Sequence, residues 1–161
     1  MSAYAIVTPV RNETENLRRL AESLSAQTLR PRTWMIVDTG SDDGTPALIA
    51  ELMREHDWIA TCTSTTGESP TRARAIVHGF NVGVIELGVL PEVVVKLDAD
   101  ISIEPDYFER RDVLETESAI RASRAPDVVA GHVPLRPFAL VALVARAARD
   151  PELVVRGERG H

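Results

Sequence analysis

Short apolar runs alternate with helix-patterned stretches through the first hundred residues, and this alternation restricts the possible folds more than any other feature. Residues 3–8 form an apolar run that stops at Pro9, and residues 34–37, 58–62 and 93–97 repeat the pattern. Each is short, rich in β-branched or aromatic side chains and bounded by turn-forming residues, which predicts four strands. Between them, Leu17, Leu20, Ala21 and Leu24 recur at the spacing of one helical stripe. Leu48, Ile49, Leu52, Met53 and His56 mark a second helix face, and Ile76, Phe80, Val84 and Leu87 a third. Strands that alternate with helices over short connections predict an α/β fold, a mostly parallel sheet with helices on both faces. The run Val93-Val94-Val95 suits the centre of such a sheet, where both faces are covered.

Local signals refine the pattern. Asn12 is expected to cap the first helix, with Glu15 three residues on. Thr45 is expected to cap the second, with Pro46 in its first turn. Pro105 should open a short helix through Tyr107 and Phe108. After about residue 110 the signal weakens. Residues 127–130 read as a strand and residues 138–148 as a helix. The chain thus divides into an α/β region, 1–110, and a tail, 111–161. The tail is either a helix-strand-helix continuation or a segment not native to the fold, such as a GC-rich gene read out of frame would produce.

A chain of 161 residues is one domain's worth, and 44% hydrophobic with 26% charged residues is a globular balance. The net charge of -6 argues against a general nucleic-acid binder, which needs a basic face. The single cysteine, Cys62, allows no internal disulfide. The four histidines, His56, His78, His132 and His161, lack metal-ligand spacing. No basic stretch precedes the first apolar run, so no signal peptide is expected. The apolar stretch 138–145 is far short of the ~20 residues of a membrane helix. These features predict a cytoplasmic protein, at most peripheral to a membrane.

In an open parallel sheet, ligands bind beyond the carboxyl ends of the strands, and polar residues collect there. The first strand runs into Arg11-Asn12-Glu13, the second into Asp38-Thr39 and the fourth into Asp98-Ala99-Asp100. Two carboxylates emerging from a buried strand suit a hard cation such as Mg²⁺ or Mn²⁺, which keeps waters and shares phosphate oxygens. Neither a dinucleotide glycine fingerprint nor a phosphate-loop Gly-Lys-[Ser/Thr] is present. A diphosphate beside these acids would face a repulsion of roughly 3 kcal/mol per charge pair at ~5 Å and an effective dielectric of ~20. A divalent cation would offset it.

Three motifs, Ala5-Ile6-Val7-Thr8-Pro9-Val10-Arg11-Asn12-Glu13, Val37-Asp38-Thr39-Gly40-Ser41-Asp42-Asp43-Gly44-Thr45 and Lys96-Leu97-Asp98-Ala99-Asp100, resemble in order and spacing the family 2 glycosyltransferases of GT-A fold. The resemblance covers residues 3–110. It implies transfer of a sugar from a nucleotide-sugar donor, with inversion, to a saccharide, lipid or small-molecule acceptor. It places Pro9, Arg11 and Glu13 in the nucleoside pocket and Asp38 at the base-binding edge, with Thr39 where many relatives carry a second Asp. It makes Asp98 and Asp100 the metal motif, Asp100 in direct coordination and Asp98 toward the ribose or a metal-bound water. It sets Arg72 and Arg74 in a loop where relatives often carry a basic residue near the donor. Family members usually continue well beyond this length, so the resemblance implies a truncated, donor-binding half. A catalytic base is not assigned; Glu115, Glu117 and Asp127 are the acidic residues available. The alternative is a non-catalytic nucleotide-sugar-binding protein that lacks the acceptor half. A membrane-associated interaction protein using residues 138–148 is a third reading.

Overall fold

The computed structural model describes residues 4–64, 72–91, 93–110, 129–133 and 140–146. Strands β1 (Tyr4–Val10), β2 (Thr33–Asp38), β3 (Ile59–Thr63) and β4 (Val93–Lys96) alternate with helices α1 (Thr14–Ser25), α2 (Thr45–Glu55) and α3 (Arg72–Glu86). Helix α4 (Tyr107–Arg110) follows, then strands β5 (Val129–Val133) and β6 (Leu140–Arg146). The six strands form one sheet in the order β3-β2-β1-β4-β6-β5. The first four are mutually parallel; β6 runs antiparallel to β4, and β5 antiparallel to β6.

Period-two alternation sorts the strand residues between two cores. Tyr4, Ile6, Trp34, Ile36, Val93 and Val95 pack with Leu17, Leu20, Leu24, Leu48, Ile49, Leu52 and Phe108, so α1, α2 and α4 cover one face. Val7, Met35, Val37 and Val94 pack with Phe80 and Val84 of α3 on the other. Helices therefore lie on both faces, as the alternation predicts. Leu17, Leu20, Leu24, Ile6 and Ile36 are fully buried, each stabilising by about 1.5–3 kcal/mol against exposure. Two of the polar side chains inside find partners, whereas Trp58 Nε1 and Ser64 Oγ are buried without one among the described residues. The Trp34 indole N–H donates to Thr8 Oγ1 at 2.9 Å, and Tyr4 Oη donates to the Leu29 carbonyl at 2.6 Å.

Three local expectations are corrected. Asn12 does not cap α1: Glu13 stands at that position, and Asn12 has φ +56 with its side chain turned to another loop. Thr45 is the first residue of α2 rather than its cap, and its hydroxyl faces Glu13 and Thr14. Residues 140–146, expected as part of a helix, are strand β6, with Val144, Ala145 and Arg146 paired to Val95, Val94 and Val93. A continuous apolar run satisfies either period, and pairing along the open side of β4 decides for the strand. The expected strand at 127–130 is met by β5 from Val129 onward. Glu115, Glu117 and Asp127 lie outside the described residues.

Candidate functional site at the carboxyl edge of the sheet

Central strand β1 has β2 on one side and β4 on the other, so the loops after all three meet at one edge. The ladder continues past the strand ends. Thr39 N–H donates to the Val10 carbonyl at 2.9 Å, Ser64 N–H to the Asp38 carbonyl at 2.9 Å and Leu97 N–H to the Val7 carbonyl at 3.1 Å. The first residues of each loop are thereby fixed by backbone hydrogen bonds, and Leu97 by burial in the core as well.

Side chains then join the first two loops. Asn12 Nδ2 donates to Asp42 Oδ1 at 2.7 Å, while Asp42 N–H donates to Asn12 Oδ1 at 2.9 Å. Asn12 N–H donates to Ser41 Oγ at 3.0 Å. Thr14 Oγ1 donates to Asp43 Oδ2 at 2.7 Å, and Glu13 N–H donates to Thr45 Oγ1 at 3.0 Å. The hydrogen bonds from Thr45 and Thr14 hold the Asp43 carboxyl down at about 2. Asn12, Ser41, Asp42, Asp43 and Thr45 are thus taken up in holding two loops together. At the same edge Arg11 is exposed and Asp38 half-buried.

Asp38 is engaged by its own loop through one oxygen. Its Oδ1 accepts from Gly40 N–H at 3.2 Å, Ser41 N–H at 2.9 Å and Ser41 Oγ at 2.7 Å, which shapes the loop. Gly40 has φ +100, a conformation that favours glycine. Thr39 turns its hydroxyl back to the Val10 carbonyl at 3.0 Å. The expected nucleoside residue Glu13 is half-buried and accepts from Asn16 Nδ2 at 2.6 Å, and Pro9 is buried within β1.

Beyond β4 the exposure alternates. Leu97, Ala99 and Ile101 are buried against the α1 and α2 face, whereas Asp98 is half-buried and Asp100 exposed. The alternation gives the Asp-Ala-Asp spacing its physical sense: the small middle residue fills core while both carboxylates are left at the edge. Lys96 precedes them by two residues and forms an ion pair with Asp98 Oδ1. The segment that follows is fastened to the end of α1. Buried Gln27 donates from Nε2 to the Glu104 carbonyl at 2.7 Å, Thr28 N–H donates to the Pro105 carbonyl at 2.8 Å, and Thr28 Oγ1 to Glu109 Oε2 at 2.6 Å. Among the described residues, no three His, Cys, Asp or Glu side chains group to hold a metal ion.

Helix α3 closes the site from the other face through two glycines. A Cβ at Gly83 would stand 2.5 Å from Val7 Cγ1 and 2.6 Å from Val37 Cγ2; one at Gly79 would stand 3.0 Å from Thr39 Cγ2 and 3.3 Å from Pro9 Cβ. The helix therefore runs away from the carboxyl edge as numbers rise. Its first turn, with Arg72 and Arg74, lies beyond Pro9 and Thr39 by several residues at about 1.5 Å each. The structure thus brings Pro9, Arg11, Glu13, Asp38, Thr39, Asp98, Asp100 and the backbone of Arg74 to one edge. The sequence reading placed Asn12 among the polar residues at this edge and Lys96 in the third motif but gave neither a role here, and it did not single out Gln27.

The Glycosyl transferase family 2 model matches residues 5–111. No curated protein sequence matches this chain. Among solved structures, TarS of S. aureus superposes with a TM-score of 0.56 at 19% identity, covering 83% of this chain and 23% of TarS. The mannosyltransferase PcManGT from Pyrobaculum calidifontis, in complex with GDP-Man and Mn²⁺, gives 0.55 at 23% identity, covering 84% of this chain and 36% of that one. GalNAc-T7 with UDP, GalNAc and Mn²⁺ gives 0.52 at 16% identity, covering 65% of this chain and 19% of that one. This chain therefore spans well under half the length of each. The likeness to these structures is one of fold, a GT-A-like α/β sheet. The match over residues 5–111, two thirds of the chain, shows more than fold: the chain belongs to glycosyl transferase family 2.

Proposed function

We infer that the chain is the donor-binding part of a glycosyltransferase that moves a sugar from a nucleoside-diphosphate donor to an acceptor hydroxyl. The observation that carries this is the placement of Asp38 and Asp98 on either side of the end of β1. Two strand spacings separate them, about 10 Å, close to the reach of a nucleoside diphosphate. Asp38 at one end would accept from the base or ribose with the oxygen not used by the loop. Arg11, exposed at the end of β1, would supply positive charge beside the donor. The acceptor oxygen would attack the anomeric carbon from the face opposite the diphosphate. The C–O bond to the diphosphate would break with its electron pair, giving inversion, and a base would take the acceptor's proton.

The donor set at Asp98 and Asp100 fits a divalent cation. Two carboxylates on one edge suit an ion that keeps several waters and takes its remaining ligands from phosphate oxygens. When bound there, Mg²⁺ or Mn²⁺ would neutralise the departing diphosphate. Asp100, exposed, is the proposed direct ligand; Asp98, held by Lys96, is proposed to orient the ribose or a metal-bound water. PcManGT and GalNAc-T7, both with Mn²⁺, support this reading. The test is calorimetric titration of the purified chain with UDP and GDP, in Mn²⁺ and in EDTA. Binding of at least one of them is expected; binding of neither under both conditions overturns the reading. Donor turnover measured beside it separates an enzyme from a protein that only binds nucleotide-sugars.

A further inference from the structure

Lys96 is the only lysine in the chain, and its side chain is 12% exposed. It ends an apolar strand, a position where a buried cation is costly unless paired. The period of two along extended chain brings it to the same side as Asp98, to which it is ion-paired. Asp98 Oδ1 is therefore engaged, and Asp100 is the exposed carboxylate of the pair. The acidic edge carries a built-in counter-charge next to the place proposed for the diphosphate.

We propose that Lys96 is a positioning residue that makes cation binding depend on the donor. It holds Asp98 in one orientation and cancels one of the two negative charges there. A divalent cation arriving alone meets one available carboxylate and the repulsion of a nearby ammonium. A cation arriving with a nucleoside diphosphate brings its own anionic oxygens, which the same ammonium attracts. The edge thus discriminates against the free ion and in favour of the metal-nucleotide pair. This rests on the donor-binding reading above, and it adds the order in which cation and donor are accepted.

The test compares the wild-type chain with Lys96→Met and Lys96→Arg. Free Mn²⁺ is followed by electron paramagnetic resonance without nucleotide, and UDP and GDP by calorimetry in EDTA. Lys96→Met is expected to bind Mn²⁺ alone about tenfold more tightly, since a unit charge a few ångströms from a divalent ion is removed. In EDTA it is expected to bind the nucleotide about tenfold more weakly. Lys96→Arg should restore both values. A role in folding alone would lower both affinities together or neither, so the opposite signs are diagnostic. Unchanged Mn²⁺ affinity in a folded Lys96→Met protein overturns the proposal, as does failure of Mn²⁺ to bind either protein. If Lys96→Met does not fold, Lys96→Gln takes its place in the same measurements. If neither nucleotide binds the wild-type chain but the Mn²⁺ shift is present, the donor reading fails while the control of the acidic pair by Lys96 stands.

Discussion

Asn12 and Asp42 exchange two hydrogen bonds across a sequence separation of 30 residues, side-chain amide to carboxylate at 2.7 Å and backbone N–H to side-chain carbonyl at 2.9 Å. Asn12 does this from a left-handed backbone conformation, φ +56, which asparagine tolerates better than most residues. Two requirements meet in one residue. Asn12→Gly should lose only the hydrogen bonds, at about 1–2 kcal/mol. Asn12→Ala should lose them and add the cost of a Cβ in that conformation, about 1 kcal/mol more. Urea denaturation of the two variants checks the order; an alanine variant as stable as the glycine one would contradict it.

Asp38 is used by the loop through one oxygen. Asp38→Ala should therefore lower the melting temperature and weaken nucleotide binding by about 1–3 kcal/mol. Asp38→Asn can keep Oδ1 as the acceptor for Gly40 and Ser41 while altering the other position. It should melt like wild type and still bind the nucleotide more weakly. If Asp38→Asn binds normally, the residue shapes the loop and nothing more.

Asp100 is the exposed carboxylate of its motif, so its loss should leave the fold intact. Wild type should bind a nucleoside diphosphate at least about tenfold more tightly with Mn²⁺ than with EDTA, or about 1.4 kcal/mol. Asp100→Ala should abolish the difference. Equal affinities for wild type in the two buffers, measured by calorimetry, speak against a cation at this edge.

The loop clamp should be sensitive to acid. The Asp43 carboxyl titrates at about 2 in the folded chain, below its ordinary range, because Thr45 and Thr14 donate to it. A carboxylate with a depressed folded value stabilises fully above its unfolded value of about 4, and that stabilisation is lost as the pH falls toward 2. Asp43→Asn should remove this part of the acid sensitivity. Melting temperatures at pH 6 and pH 2.5 should differ less for the variant than for wild type.

Gly83 and Gly79 separate packing from binding. Gly83→Ala drives a methyl to 2.5 Å from Val7 and should destabilise by about 1–3 kcal/mol. Gly79→Ala meets Thr39 and Pro9 at 3.0 and 3.3 Å, a milder clash, but against the proposed nucleoside edge. It should cost less stability than Gly83→Ala and more nucleotide affinity. Denaturation and calorimetry on both variants test the crossing of the two effects.

The parallel sheet, the helix stripes and the acidic strand end were legible because each depends on neighbours close in sequence. Leu17 to Leu24 must share a face whatever else happens, and Asp98 must emerge from the strand before it. What could not be read depended on distant chain. Asn12 has the composition of a cap, and only the approach of the 40–45 loop recruits it elsewhere. The run 140–146 is apolar enough for either period, and its partner β4 lies more than forty residues away. Gln27 became visible as an anchor only when Glu104 and Phe108 came to lie beside it.

Strand β1 is flanked by hydrogen-bonded neighbours on both edges and covered by helices on both faces. Its amides belong to the most protected class, which exchanges with solvent only on global opening. The loops proposed to hold the donor leave directly from this strand and its two neighbours. Heating should therefore not melt the donor site ahead of the protein. Nucleotide binding and the slow-exchanging amides of residues 5–8 should be lost in the same transition, so a ligand that stays bound reports on the last part of the molecule to open.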